Sequence, residues 1–191
     1  MVEKKYIQAQ ELLEDSFRLG IQILKDKFKP NFIVGVWRGG TPVGIAVQEL
    51  LDYFGIKTDH ISIRTSAYEA INQRSKQIIV HGMGYIIENV NSEDSLLIVD
   101  DVFDSGLSVE AVLDTLRERS RKNIPHDIRI AVVYYKPANN GTGRVPDYYL
   151  YRIDKWLVFP HELKGLTREE IFTNKPGVRE LIEGVETDEN Y

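Results

Sequence analysis

Four aliphatic residues, Leu96 to Val99, run unbroken into the acidic pair Asp100 and Asp101, and Val102, Phe103, Asp104, Ser105, Gly106, Leu107 and Ser108 follow. A continuous apolar run of this kind reads as a strand covered on both faces, as in the middle of a parallel sheet. Three carboxylates at positions 100, 101 and 104 repel one another. A chain that drives an apolar strand into them needs a partner there to neutralise them. In an open parallel sheet the carboxyl ends of the strands are where ligands bind.

The remainder of the chain supports such a sheet. Residues 8 to 28 read as an amphipathic helix, with Leu13, Phe17, Ile21, Leu24 and Phe28 as its apolar face. "NFIVGV" reads as a buried strand that stops at the glycine-rich turn "WRGGTP", and "VGIAVQELLDYF" as the next helix. "DHISIRTS" is a strand, residues 66 to 77 a long polar loop, and "IIVHGMGYII" a returning strand. Val109, Val112, Leu113 and Leu116 mark a helix, "IRIAVVYYKP" and "DYYLYRI" two further strands. Thr167 with Glu170 makes a capping box for a C-terminal helix. Strands alternating with helices predict an α/β fold, a mostly parallel central sheet flanked by helices. The expected organisation is one domain over residues 1–191. Its core is near 30–163, its N-terminal helix 8–28, its C-terminal helix and tail 167–191, with a small lobe at 66 to 92.

Charge and composition narrow the function. The net charge is −5 over 191 residues, which argues against general adhesion to nucleic acid or to an anionic membrane. There is no cysteine, so neither a disulfide framework nor a thiolate zinc site can form. The start lacks the apolar core of a signal peptide and no run is long enough to span a bilayer, so a cytoplasmic protein is expected. Gly35 and Gly40 have the spacing of a Walker loop, but Thr41 stands where its lysine must be. "HELKG" lacks the second histidine of a zinc protease.

The acidic strand end has a chemical reading. Carboxylates accept hydroxyl hydrogens well, and a hydrated Mg²⁺ prefers oxygen ligands. Ser105, Gly106, Leu107 and Ser108 read as a tight loop opening onto a helix at Val109, where backbone N–H groups and the helix dipole suit a phosphate monoester. Together they suit a ribose 5-phosphate.

At this point "LLIVDDVFDSGLS" resembles the phosphoribosyl-pyrophosphate signature of the type I phosphoribosyltransferases, with Ser105 and Ser108 standing where threonine is usual. The resemblance implies that Asp100 and Asp101 hold the ribose hydroxyls and Mg²⁺. It implies that residues 104 to 108 cradle the 5-phosphate, and that Asp104 faces the base. "GVWRGGTP" resembles the family's pyrophosphate loop, which assigns Arg38, Gly39 and Gly40 to the leaving group, although Trp37 departs from the usual pattern. "SAYEAINQRSKQ" resembles the family's mobile loop, with Ser66 and Tyr68 in its Ser-Tyr region. "YYKP" and "DKWLVFPHE" resemble the 6-oxopurine branch, where Lys136 would reach the 6-oxo oxygen, Trp156 would stack, and the Leu157 backbone would meet the base edge. Glu162 lies near where relatives place a second metal-binding acid.

The activity so implied is transfer of phosphoribose from phosphoribosyl pyrophosphate to N9 of hypoxanthine, guanine or xanthine, a purine-salvage reaction. Homodimers or homotetramers are expected partners. The alternative is a non-catalytic regulator on the same fold that senses phosphoribosyl pyrophosphate or nucleotide. A signalling receiver domain also carries an acidic pair and a Lys-Pro, but its acidic pair belongs on the first strand, whereas here it comes mid-chain. An orotate or pyrimidine acceptor is disfavoured by Lys136 with Trp156.

Overall fold

The computed structural model describes residues 3–68 and 77–186. Backbone contacts divide the chain into two units, Gln10–Asp154 and a smaller one from the chain ends, Met1–Ala9 with Lys155–Tyr191.

The larger unit is built on a six-stranded sheet. Its strands are β2 (Phe32–Trp37), β3 (Asp59–Tyr68), β4 (Gln77–His81), β5 (Ser95–Phe103), β6 (Asp127–Tyr135) and β7 (Tyr148–Arg152), in the spatial order β4-β3-β2-β5-β6-β7. All neighbours pair in parallel except β3 with β4. Leu96, Leu97, Ile98 and Val99 are each fully buried, as the unbroken run predicts, and each such side chain contributes about 1.5–3 kcal/mol of transfer free energy. β5 continues two residues past the acidic pair, because Val102 and Phe103 still pair with Tyr134 and Tyr135.

Helices cover both faces. On one side, α3 (Gly84–Asn89) and α4 (Leu107–Ser120) close a core containing Val34, Val36, Ile63, Ile86, Ile98, Val112 and Leu116. α1 (Ala9–Lys25) and α2 (Gly40–Tyr53) pack together, with Gly20 so close to Leu50 that a Cβ there would lie 2.6 Å from its Cδ2. That approach explains a correction. The buried stripe of α1 is Leu12, Asp15, Ser16, Leu19, Gly20 and Ile23, one residue round from the expected face, and Leu13 and Phe17 are exposed. Helices approach closely at small residues, so α1 meets α2 at Gly20 rather than at one of its bulky side chains.

Two other expectations change. "GYII" is helical, not strand: Met83, Ile86, Ile87 and Val90 bury one face at three- and four-residue spacing. Within the stretch expected as a small lobe lie the edge strand β4 and α3, and β3 runs on to Tyr68. Residues 69–76, most of the expected mobile loop, lie outside the described residues.

In the smaller unit β1 (Lys4–Tyr6) pairs in parallel with β8 (Trp156–Val158). The Thr167–Glu170 capping box forms, each residue accepting the other's backbone N–H, at 3.2 and 2.9 Å. It opens α5 (Arg168–Asn174), and a second helix, α6 (Pro176–Glu186), follows where one was expected. Among the described residues no helix is long and apolar enough to cross a membrane.

Candidate active site

The chain leaves β2 toward β3 on one side, while β5 lies on the other, so the crevice between the β2 and β5 ends is a topological switch point. Register places Gly35 beside Val99, so the loop after β2 and the acidic end of β5 are neighbours. The Trp37–Arg38 peptide is cis, and Arg38 is exposed, its guanidinium making no hydrogen bond or ion pair among the described residues.

Glycine is what lets the two ends touch. A Cβ on Gly39 would fall 1.7 Å from Asp101 Oδ2, and one on Gly40 would fall 2.4 Å from the Val99 carbonyl oxygen. The loop backbone therefore lies directly on the acidic pair. Asp101 is 7% exposed. Burial holds the Asp100 carboxyl well above its ordinary 3.8, and the neighbouring Asp101 charge raises it further. The N–H groups of Asp101, 2.9 Å from Asp100 Oδ1, and of Gly40 pull the other way. A buried pair of like charges is what a divalent cation with oxygen preference stabilises, so these residues fit Mg²⁺. Among the described residues no cluster of three or more His, Asp or Glu could hold a metal. Glu162 belongs to the smaller unit, where its Oε2 accepts the Phe159 N–H at 3.0 Å.

The turn after β5 is closed by Gly106, at φ 80°, which caps α4. The helix begins at Leu107, not at Val109 as expected, because the positive φ completes the turn two residues earlier. Ser108 therefore sits in the first helical turn, where backbone N–H groups have no intrahelical partner and face any anion placed there. Ser105 Oγ accepts the Leu107 N–H at 3.4 Å, and Thr65 Oγ1 donates to Ser108 Oγ at 3.4 Å. Thr65, on β3, was not singled out in the sequence, and only the strand order brings it here.

A Cβ on Gly106 would sit 2.6 Å from Thr142 Oγ1 and 2.7 Å from the Phe103 ring. Gly106→Ala combines that clash with a left-handed backbone, and is expected to destabilise the protein by about 2–3 kcal/mol in urea unfolding. A cost within about 0.5 kcal/mol of wild type would mean the turn relaxes freely.

Asp104 stands between two donors. Lys136, 7% exposed at the end of β6, donates from Nζ to Oδ2 at 3.2 Å, and Asn139 Nδ2 donates to Oδ1 at 2.7 Å. Asn139 was also missed, since nothing in the stretch after Lys136 marks it apart from its neighbour Asn140. Of the predicted site residues, the structure gathers Arg38, Gly39, Gly40, Asp100, Asp101, Asp104, Ser105, Gly106, Leu107, Ser108 and Lys136 at neighbouring strand ends of the larger unit. Trp156 and Leu157 lie on β8 of the smaller unit, Trp156 57% exposed and Leu157 buried. Ser66 bonds to His81 Nε2 across β3 and β4 at 3.0 Å. Tyr68 is placed by its backbone alone, as the end of β3.

Comparison with known proteins gives a consistent picture. A family model described as "Phosphoribosyl transferase domain" matches residues 4–165. The bifunctional protein TilS/HprT of Listeria innocua is 23% identical over 176 residues, 92% of this chain and 25% of that protein. The bifunctional protein PyrR of Corynebacterium diphtheriae is 26% identical over 106 residues, 55% of this chain and 54% of that protein. The chain thus spans a quarter of one curated relative and about half of the other. The crystal structure of a purine phosphoribosyltransferase from Pyrococcus horikoshii superposes with a TM-score of 0.65 at 27% identity, covering 86% of this chain and 98% of that one.

Proposed function

Because the chain belongs to the phosphoribosyl transferase domain family, we propose that it transfers 5-phosphoribose from phosphoribosyl pyrophosphate to N9 of a 6-oxopurine, releasing pyrophosphate. The observation that carries this reading is the packing of the Gly39–Gly40 backbone against the Asp100 and Asp101 carboxylates of β5, at whose end Asp104 follows directly. That packing suits a ligand with a diphosphate and a vicinal diol on adjacent atoms.

In this reading Asp100 and Asp101 accept the ribose hydroxyl hydrogens and hold Mg²⁺. The metal supplies neutralising charge for the diphosphate. Arg38 and the Gly39 and Gly40 amides bind the departing pyrophosphate, stabilising charge as it develops. The first turn of α4, with Ser105 and Ser108, binds the 5-phosphate.

The base edge supports a 6-oxopurine. Protonated at N7, such a base presents an N–H donor beside a carbonyl acceptor. Asp104 and Lys136 present the complement, an acceptor and a donor 3.2 Å apart. Asp104 takes the N7 proton as N9 attacks the sugar, and Lys136 donates to the 6-oxo oxygen. Adenine would turn an amino group against the Lys136 ammonium, a mismatch that sets donor against donor in a buried place. Trp156 is assigned the stacking role and Leu157 the backbone contact to the base. The similarity to a purine phosphoribosyltransferase supports the same substrate class.

Initial rates with phosphoribosyl pyrophosphate, Mg²⁺ and a panel of free bases test the reading. At least one of hypoxanthine, guanine and xanthine is expected to turn over about 10²-fold faster than adenine or orotate. Turnover confined to orotate or uracil would overturn it. Donor binding without turnover of any base would make the protein a sensor of phosphoribosyl pyrophosphate.

A further inference from the structure

Asp104 is held by two side chains of different character, and only one of them has a task at the substrate. Lys136 is charged and, in the reading above, turns its ammonium to the base. Asn139 is neutral, and its amide donates to the carboxylate oxygen Oδ1, while Lys136 donates to Oδ2.

The mount for Asn139 is built in detail. It comes from the stretch "PANNGTGR", residues 137–144, just after Lys136. The next residue, Asn140, knots this loop from within. Its Oδ1 accepts the Thr142 N–H and hydroxyl, each at 3.0 Å, and the Gly143 N–H at 3.2 Å. Its Nδ2 donates to Tyr135 Oη at 3.0 Å and to the Arg144 carbonyl at 2.8 Å. The knotted loop is then fastened to the phosphate turn. Gly141 N–H donates to the Ser105 carbonyl at 3.1 Å, the Arg144 guanidinium pairs with Glu110 on α4, and Thr142 fills the space that Gly106 leaves. At the other end the Lys136 N–H donates to the Phe103 carbonyl at 2.9 Å. Bonds to β5, to β6, to the phosphate turn and to α4 therefore fix where Asn139 stands relative to Asp104.

We propose that Asn139 is a positioning residue for Asp104: its amide fixes the carboxylate through Oδ1, so that Oδ2 still faces the purine N7 proton when Lys136 moves to the base. This rests on the phosphoribosyl transfer proposed above. An amide suits the task. It orients a carboxylate without adding a positive charge that would stabilise the ionised form against taking a proton, as a second lysine would. It donates along one fixed direction from a short side chain, whereas a lysine swings.

The test uses the full chain with Asn139→Ala and Asn139→Asp, each alone and with Asp104→Ala. Asn139→Ala is expected to lower kcat about tenfold, because misplacing a reacting group by a fraction of an ångström costs that order, while KM for phosphoribosyl pyrophosphate stays within about twofold. Asn139→Asp keeps the size but replaces the donor with a like charge against Asp104, and is expected to be worse than alanine. In the Asp104→Ala background neither change should lower the residual rate further. Urea unfolding of the Asn139→Ala and Asp104→Ala cycle reads the contact without chemistry, with an expected coupling of about fivefold in the unfolding constant. A kcat within about twofold of wild type for Asn139→Ala, or an aspartate variant as active as the alanine one, overturns the proposal. Should wild-type protein turn over no base, the phosphoribosyl transfer reading fails on its own. The unfolding cycle then decides the contact: coupling retains Asn139 as the holder of Asp104, and additivity removes it.

Discussion

Asp104→Asn is expected to lower kcat for the preferred 6-oxopurine by about 10²–10⁴-fold, with the dissociation constant of phosphoribosyl pyrophosphate changed by less than about threefold. The substitution changes almost nothing in shape. It removes the negative charge and the capacity to take a proton from N7, the step proposed for it as N9 attacks the sugar. In the proposed site the donor is held elsewhere, by the acidic pair, the Gly39–Gly40 backbone and the turn at Gly106, so its affinity should hardly respond. The local geometry should survive as well, since the introduced amide can still accept from Asn139 through its carbonyl oxygen. What the variant loses is the ion pair to Lys136, seen at 3.2 Å, at a lysine only 7% exposed. Steady-state rates and calorimetric titration of the donor with Mg²⁺ separate the two effects. Full turnover would remove Asp104 from the chemistry. A parallel loss of donor binding would move its role from the base to the sugar.

The legibility of this site in the sequence follows from which contacts are local. The strand at β5 could be read because burial on both faces leaves an unbroken apolar run, and the turn after it because small residues with a glycine follow the strand at once. The Thr167–Glu170 cap is equally local, and it forms. The face of α1 was misplaced for a non-local reason. Its seam includes Asp15, which is fully buried and accepts from Tyr151 Oη at 3.0 Å, a partner on β7 that no helical periodicity announces. β1 owes its existence to β8 at the other end of the chain. The helix at α3 is different: Met83, Ile86, Ile87 and Val90 carried the helical spacing in plain view, but flanking glycines and a run of isoleucines favoured a strand. Asn139 and Thr65 reach the site only through neighbouring strands, so a motif read along the chain passes over them.

Asp100 is where stability and function should part most widely. Asp100→Asn is expected to weaken binding of phosphoribosyl pyrophosphate by about 10²-fold, the worth of a hydrogen bond to a charged group together with its share of the cation. The same change should make the ligand-free protein more resistant to urea at neutral pH. The reason lies in the direction of the Asp100 shift. Burial first, and the Asp101 charge second, hold its folded value well above 3.8, so the unfolded chain gives up this proton more readily than the folded one. Whatever stability Asp100 contributes is therefore fully present below the ordinary carboxyl range and is lost as pH rises through its raised folded value. An asparagine carries no such penalty. The difference in unfolding free energy between variant and wild type should accordingly be smallest near pH 4 and widen in favour of the variant toward pH 8. A difference that stays constant across that range would mean that the Asp100 carboxyl ionises equally readily in the folded and unfolded chain, and a variant that binds the donor normally would leave the acidic pair without its proposed ligand. The site keeps two carboxylates where one would be more stable, and the Gly39–Gly40 backbone lets the loop proposed to meet the leaving group lie directly against them.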